Sequence, residues 1–301
     1  MSKNWRFAEL GILLNDSMNS PTHAYSHTAP TQNYLFQIAV GRSGSTILRR
    51  SIGLHPDVYY NGKENNLIQD VAEVANRNCT RPSRVVAMGV DQVAYDAAFR
   101  QLICSLIWPD DALAQKPVHF AAINPTESNL DYLSQIFPNS KVVCLVRNGI
   151  EVICSRLKFD SFAHLGFRSH CETWVRSAAM LDWGQRNQGQ FFMFRHEWCY
   201  DPELVERKIN EMLQWAGLPA SSAVVDNIRN VNDCMPTTQA PKEFTAMNDL
   251  EKRDYFRAKG ERWRNWTEEE RHDFIQICGG LMERLGYAIP FGAQRDRQRV
   301  A

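Results

Sequence analysis

Two short segments of this chain carry residues suited to holding phosphate groups. The first, residues 36–49, reads FQIAVGRSGSTILR: an apolar run breaks at glycine, and apolar residues at helical spacing follow. This order predicts a buried strand, a glycine loop and a helix, a unit that points backbone N–H groups and a positive helix end at an anion. The loop itself supplies a fixed charge, three hydroxyls and a flexible glycine: Arg42, Ser43, Gly44, Ser45 and Thr46.

The residue that follows the last glycine of the loop indicates which kind of anion the loop can bind. Loops that bind nucleoside triphosphates carry a Lys directly after their last Gly, and here Ser45 stands in that place. The loop therefore suits a phosphate or sulfate but matches ATP and GTP poorly. An ordinary strand–turn–helix with a hydroxyl near the helix start is the structural alternative.

The second segment, residues 141–156, reads KVVCLVRNGIEVICSR. Its apolar run is too short to cross a membrane and has the length of a buried parallel strand. Arg147 follows at the carboxyl end, where open α/β sheets bind ligands, and Ser155 lies eight residues later on the predicted helix. An arginine and a hydroxyl so placed can hold one phosphate between them. Each of the two, taken singly, is equally typical of a solvated surface position.

Together the segments resemble the motifs of sulfotransferases that use 3′-phosphoadenosine 5′-phosphosulfate (PAPS) and release 3′-phosphoadenosine 5′-phosphate (PAP). Their loop, Lys or Arg and then Ser-Gly-Ser/Thr-Thr, matches residues 42–46. Their Arg-Asn/Asp-Pro motif, with a Ser eight residues after the Arg, matches Arg147 and Ser155, although Gly149 replaces the Pro and Glu151 stands where Asp is common. The resemblance implies that the loop holds the 5′-phosphosulfate, with Arg42 at the bridging oxygen, and that Arg147 and Ser155 hold the 3′-phosphate.

Weaker matches extend the resemblance over residues 34–288. Asn124-Pro125 stands where many members have Lys-Thr/Ser-Pro, so a catalytic lysine is missing there. The strand-like FFMFRHEWCYDPE resembles the segment usually written Arg-Tyr-Glu-Asp-Leu, with His196 in place of the Tyr. His196 is a candidate to pack on the adenine, and Trp263 is another. RAKGERWRNWT resembles a late cofactor loop, which implies that donor-binding residues also include Arg257, Lys259 and Gly260.

The fold expected is α/β, with three layers, a central mostly parallel sheet and a phosphate-binding strand–loop–helix. Strands are predicted at residues 34–40, 118–123, 142–146 and 191–194, and Thr267 with Glu270 predicts a capping box on a final helix. We expect a leader at residues 1–33, one sulfotransferase-like domain at 34–288 and a tail at 289–301.

Composition narrows the class of protein. The 301 residues are 44% hydrophobic and 23% charged, as in a globular enzyme, and Lys plus Arg (34) balances Asp plus Glu (34). A zero net charge gives no support to nucleic acid as a partner. No apolar run reaches the roughly 20 residues of a membrane helix, and no signal peptide is apparent, so we expect a cytoplasmic protein with no membrane partner. The eight cysteines have no zinc-site spacing, and no metal is expected.

Sulfuryl transfer to a hydroxyl requires a base, and two residues are candidates. Glu64 follows the phosphate-loop helix where several branches of the family carry a catalytic Glu in a Lys-Glu pair, and Lys63 would keep it ionised or contact the sulfate. His119 lies on a short predicted strand, where a histidine flanked by Val118 and Phe120 is also typical of a core residue.

Three functions remain open from the sequence. The first is sulfuryl transfer from PAPS to a hydroxyl or amine of a small-molecule acceptor, with secondary metabolism and natural products as the setting. The second is a nucleotide-dependent small-molecule kinase, which Ser45 disfavours. The third is a non-catalytic PAP-binding module, which the missing lysine at Asn124 would permit.

Overall fold

The computed structural model describes residues 33–63, 65–79, 87, 89–108, 115–123, 127–162, 164–230 and 261–291. The strands of this part are β1 (Asn33–Ala39), β2 (Val58–Tyr59), β3 (Val118–Ile123), β4 (Ser140–Val146) and β5 (Phe191–Arg195). Its helices are α1 (Ser45–Ile52), α2 (Asn66–Cys79), α3 (Gln92–Ile107), α4 (Glu127–Ile136), α5 (Gly149–Arg156), α6 (Phe167–Val175), α7 (Ser177–Arg186), α8 (Pro202–Ala216), α9 (Ser222–Arg229) and α10 (Glu268–Arg284).

The described strands form one parallel sheet in the order β2-β3-β1-β4-β5. In its middle, Ile38 of β1 pairs with Ile123 of β3 on one side and with Cys144 of β4 on the other. Because the chain leaves β1 toward one side of the sheet and later reaches β4 on the opposite side, a crevice forms at the carboxyl ends of these strands. The strands predicted at residues 34–40, 118–123, 142–146 and 191–194 are confirmed, whereas the two-residue β2 was not predicted.

Two apolar cores lie on opposite faces of this sheet, as the alternation of side chains along a strand requires. Phe36 and Ile38 pack with residues of α2, α4, α5 and α10, while Leu35 and Ala39 pack with residues of α1, α8 and α9. The three-layer α/β architecture expected from the sequence is therefore confirmed.

Several helix ends follow from local chemistry. The predicted capping box on α10 is present, with Thr267 accepting from the Glu270 N–H at 3.1 Å. On α8, which begins at Pro202, the Asp201 side chain accepts from the N–H groups of Glu203 and Leu204, and Gly217 ends the helix in the left-handed region. The division into leader, domain and tail stays a prediction, since residues 1–32 and 292–301 lie outside the described residues.

Candidate functional site

The loop after β1 turns sharply toward the crevice. Arg42 has φ of 79° and Gly44 has φ of 94°, a left-handed conformation that costs a non-glycine residue about 1–2 kcal/mol. The Ser43 N–H donates to the carbonyl of Val40 at 3.1 Å and closes the turn. The protein thus holds an arginine in an unfavourable conformation at the tip of this loop, which is common at ligand sites.

Helix α1 begins at Ser45, and a side chain of strand β1 holds its first residue in place. The buried Gln37 of β1 donates from Nε2 to the Ser45 carbonyl at 3.0 Å. Gly44 occupies the N-cap position without a side-chain cap in the described part of the chain. The Ile47 N–H donates to the Gly44 carbonyl at 3.1 Å. The N–H groups of Ser45 and Thr46 are therefore the ones suited to an anion, next to the half-buried side chains of the same two residues.

The glycine of this loop is required by a histidine packed against it. A Cβ atom at Gly44 would overlap the ring of His196, which is buried directly after β5. The His196 Nε2 lies 3.3 Å from the Tyr200 hydroxyl. The ring of His196 thus supports the loop backbone, and its contact with adenine stays a prediction.

The turn after β4 carries the second phosphate motif. Arg147 forms a salt bridge with Glu151, with Nη2 2.7 Å from Oε2, and its side chain is 14% exposed. Asn148 caps α5 by accepting from the Ile150 N–H at 2.9 Å. Glu151, at the position where the family usually has Asp, therefore orients the arginine one helical turn away.

The two motifs meet across the crevice, although they lie about a hundred residues apart in the chain. Arg147 donates from Nη1 to the Arg42 carbonyl at 3.3 Å, and Arg42 donates from Nε to the Ser155 Oγ at 3.2 Å. The Arg42 guanidinium also lies 4.3 Å above the ring of Phe159. Arg42 is thus positioned between the loop and the second motif, and in this arrangement its side chain contacts Ser155.

The replacement of the family's Pro by Gly149 has a structural reason. A Cβ at Gly149 would lie 2.9 Å from three ring atoms of Trp174, closer than side chains tolerate. Trp174 also donates from Nε1 to the Arg147 carbonyl at 3.2 Å. The tryptophan fills the space that a side chain would need and at the same time fixes the backbone that carries the arginine.

A half-buried carboxylate, not predicted from the sequence, holds the same turn from the opposite side. Glu197 accepts from the Asn148 N–H at 2.8 Å and from the Tyr287 hydroxyl at 2.9 Å. Burial raises the pKa of Glu197, while the hydrogen bonds from Asn148 and Tyr287 act against that rise. The sequence signal was present, since Glu197 occupies the Glu position of the segment that resembles Arg-Tyr-Glu-Asp-Leu.

Arg42 and Arg147 place two positive charges next to each other in the crevice. Burial, followed by the charge of Arg147, lowers the pKa of Arg42. Burial also acts to lower the pKa of Arg147, but Tyr200 and Glu151 outweigh it and raise the pKa. The pKa of His196 is well below its usual value, first because of burial and then because of Arg147. The histidine is therefore neutral, and the two arginines remain available to an anionic ligand.

Lys63 is exposed in a loop attached to the same edge of the sheet. Its N–H donates to the Asn61 Oδ1 at 3.0 Å, and the Asn65 N–H donates to the Ala122 carbonyl of β3 at 2.9 Å. Because Ala122 pairs with Gln37 of β1, this loop lies at the carboxyl edge, one strand from the phosphate loop. Glu64 itself lies outside the described residues.

His119 is placed elsewhere. It is the second residue of β3, 3% exposed, and its ring contacts the rings of Tyr34, Tyr59 and Trp108 with centroids 5.2–5.8 Å apart. The phosphate loop follows the carboxyl end of β1, and His119 lies near the opposite end of the parallel strands. Since the structure does not bring His119 to the phosphate loop, we exclude it from the proposed catalytic group.

The remaining predicted site residues, Arg257, Lys259 and Gly260, lie outside the described residues, as does Asn124. Within the described ranges, no group of three or more His, Cys, Asp or Glu side chains is arranged to hold a metal ion. Likewise, none of the helices described here has the length and apolar character to cross a membrane.

Comparison with known proteins identifies the family of this chain. A model of the sulfotransferase family matches residues 35–221, more than half of the chain, so the protein belongs to the sulfotransferase family. Human protein-tyrosine sulfotransferase 1 is 29% identical over 141 residues, which are 44% of this chain and 35% of the human protein. An uncharacterized protein of Aquifex aeolicus (strain VF5) is 23% identical over 255 residues, 79% of this chain and 31% of that protein. The chain thus spans about a third of the length of these curated relatives.

Solved structures support the fold. The sulfotransferase domain of the Synechococcus PCC 7002 olefin synthase aligns with a TM-score of 0.54 at 18% identity, covering 86% of this chain and 96% of that domain. The sulfotransferase domain from the curacin biosynthetic pathway aligns with a TM-score of 0.51 at 14% identity, covering 86% and 99%. At these identities the likeness establishes a shared architecture.

Proposed function

We propose that this protein transfers a sulfuryl group from PAPS to a hydroxyl or amine of a small-molecule acceptor and releases PAP. The observation that carries the proposal is the junction at Arg42, where the β1 loop meets the motif of Arg147 and Ser155. Two anion-binding elements side by side suit a nucleotide with phosphate groups at two separate positions. PAPS has this property, whereas ATP carries its phosphates in one chain.

The donor set fits such a ligand. The α1 N-terminus with Ser45 and Thr46 is suited to the 5′-phosphate, and Arg147 with the Ser155 hydroxyl is suited to the 3′-phosphate. Ser43 is buried and closes the turn, so its contribution is the shape of the loop. Arg42 supplies positive charge between the two positions.

Bound PAPS supplies the sulfuryl group: its S–O bond to the 5′-phosphate breaks with the electron pair left on the phosphate oxygen, an S–O bond to the acceptor oxygen forms, and the acceptor proton leaves. The residues of the chain hold the donor in line and stabilise charge on the phosphate oxygen. We assign the acceptor proton to the Glu64 carboxylate, since its described neighbours in the chain, Lys63 and Asn65, lie at this edge of the sheet.

The donor is tested by titration calorimetry with PAP, and with ATP plus magnesium, on the full chain. We expect tight binding of PAP and weak binding of ATP. Arg147→Ala should weaken PAP binding by about 10-fold to 100-fold, since a charged hydrogen bond contributes about 1.5–3 kcal/mol. Arg50→Ala is the matched control, because Arg50 is exposed on α1. Preferential ATP binding would instead support a kinase.

The base is tested with Glu64→Gln, which keeps the size of the side chain and removes the carboxylate. We expect kcat to fall by about 10²–10⁴-fold while PAP affinity is unchanged. Glu73→Gln, on the exposed surface of α2, is the control. If the wild-type protein binds PAP but sulfates none of a broad panel of alcohols, phenols and amines, the non-catalytic module is the better description.

A further inference from the structure

One buried arginine beside the phosphate loop belongs to neither of the two phosphate motifs. Arg156 is the last residue of α5, directly after Ser155, and it is 4% exposed. Its Nε donates to the His170 Nδ1 at 3.2 Å, and its guanidinium lies 4.1 Å above the ring of Phe162. Among the residues that the structure describes, no carboxylate pairs with it.

A buried cation without a counter-charge is costly unless an anion binds it. The surroundings of Arg156 disfavour its charged form further: burial, followed by the charges of Arg176 and Arg42, lowers its pKa. Both of these nearby charges are positive. The His170 ring cannot compensate, because as an acceptor at Nδ1 it is neutral there. This group of arginines is therefore organised to receive negative charge from outside the described chain.

The position of the guanidinium indicates which part of a ligand it would contact. Arg156 Nη1 lies 3.4 Å from the place where a Cβ of Gly41 would be. Gly41 lies at the start of the loop, directly before Arg42, whereas α1 begins at Ser45 at the other end. The Arg42 guanidinium stacks on the ring of Phe159, and the Arg156 guanidinium stacks on the ring of Phe162. These two rings contact each other, with centroids 5.5 Å apart. Two arginines are thus stacked on one pair of phenylalanines at the same end of the loop.

We infer that Arg156 is an additional binding residue for the sulfuryl end of the donor, reaching it through the gap left by the missing side chain of Gly41. The inference rests on the proposed function. The 5′-phosphate is assigned to the α1 N-terminus and the 3′-phosphate to Arg147 and Ser155. For the sulfuryl group this leaves Arg42 and the exposed Lys63, which the sequence predicts as a sulfate contact.

Calorimetry can separate this role from a structural one, because PAP and PAPS differ only in the sulfuryl group. Both ligands are titrated into the full chain without acceptor. In Arg156→Met we expect PAPS affinity to fall by about 10-fold to 100-fold, with PAP affinity changed by less than about threefold. Arg156→Lys should restore part of the loss, since it keeps the charge but not the fork of donors.

A second variant, Gly41→Ala, keeps the inference testable if Arg156→Met fails to fold. Gly41→Ala keeps Arg156 and places a methyl group against its Nη1, and the φ of Gly41 is not left-handed. It should reduce PAPS affinity and leave PAP affinity unchanged. Arg176→Met is the matched control: Arg176 is exposed and also acts on the charge of Arg156, so it reports the long-range effect of losing one positive charge.

The outcomes are distinct. Loss of PAPS affinity alone, in Arg156→Met and Gly41→Ala but not in Arg176→Met, supports the inference. Equal weakening of PAP and PAPS, an equal effect of Arg176→Met, or no change in either ligand overturns it and leaves the proposed function standing. If the wild-type protein binds neither ligand, the proposed function fails, and the inference fails with it.

Discussion

The turns after β1 and β4 both carry phosphate-binding residues, yet they are built in opposite ways. The loop after β1 depends on its own backbone, with Arg42 and Gly44 in the left-handed region and a helix start that offers N–H groups. The turn after β4 has ordinary backbone angles and is held from outside by Trp174 and Glu197. The first turn thus combines a left-handed backbone with packing on His196, whereas the second depends on distant side chains at ordinary backbone angles, and the two should respond differently to substitution.

Glycine substitutions are the sharpest test of this difference. Gly44→Ala combines a left-handed φ with overlap of the His196 ring, so we expect a loss of roughly 2–5 kcal/mol in the free energy of unfolding. Urea denaturation followed by tryptophan fluorescence measures it. Gly217→Ala is the control, since Gly217 has φ of 83° and open space around it; it should lose only the conformational part, about 1–2 kcal/mol. Equal losses in the two variants would contradict the role of His196.

Gly149→Ala tests the second turn. Its φ is not left-handed, so the expected loss comes from the Trp174 contact alone and is about 1–3 kcal/mol. Because Trp174 also holds the Arg147 carbonyl, PAP affinity should fall in parallel with stability, as calorimetry can show. Gly280→Ala, on the exposed side of α10 with nothing near its Cβ position, should instead gain about 0.5–1 kcal/mol. A neutral Gly149→Ala variant would mean that Trp174 does not constrain this turn.

The smallest effect concerns pH and the histidine under the β1 loop. The folded protein keeps His196 neutral to well below its usual pKa, whereas the unfolded chain protonates it near pH 6.5. The unfolded state therefore binds more protons as the pH falls below 6.5, and stability is lost in that direction. Between pH 6.5 and 5 this group contributes a loss of up to about 2 kcal/mol.

The measurement is the urea midpoint at several pH values in the wild type and in His196→Gln. The variant should be less stable at pH 7 but less sensitive to acid. His272→Gln, an exposed position on α10, serves as the control and should follow the wild type. Parallel curves for wild type and His196→Gln would show that His196 is not held neutral in the fold.

The contrast between the turns explains how much could be predicted from the sequence. The strands at 118–123 and 142–146, the loop at 42–46 and the capping box at Thr267 follow from patterns within a few residues, and the structure contains them. The packing of the His196 ring against Gly44 could not be predicted from local patterns, because the two residues lie far apart in the chain. For His119, spacing alone could not exclude a base, since only strand register shows which end of β3 it occupies.

The sequence by itself determined the α/β class, the strand–loop–helix and the membership of the sulfotransferase family, because these depend on local hydrophobic periodicity and short motifs. Tertiary structure alone decided that Arg147 reaches the Arg42 carbonyl, that Trp174 requires Gly149, and that Arg156 lies beside Gly41. Such pairs join residues that are distant in the chain and become neighbours only when the parallel strands place their carboxyl ends along one edge. The charges that define the site are brought together by that packing.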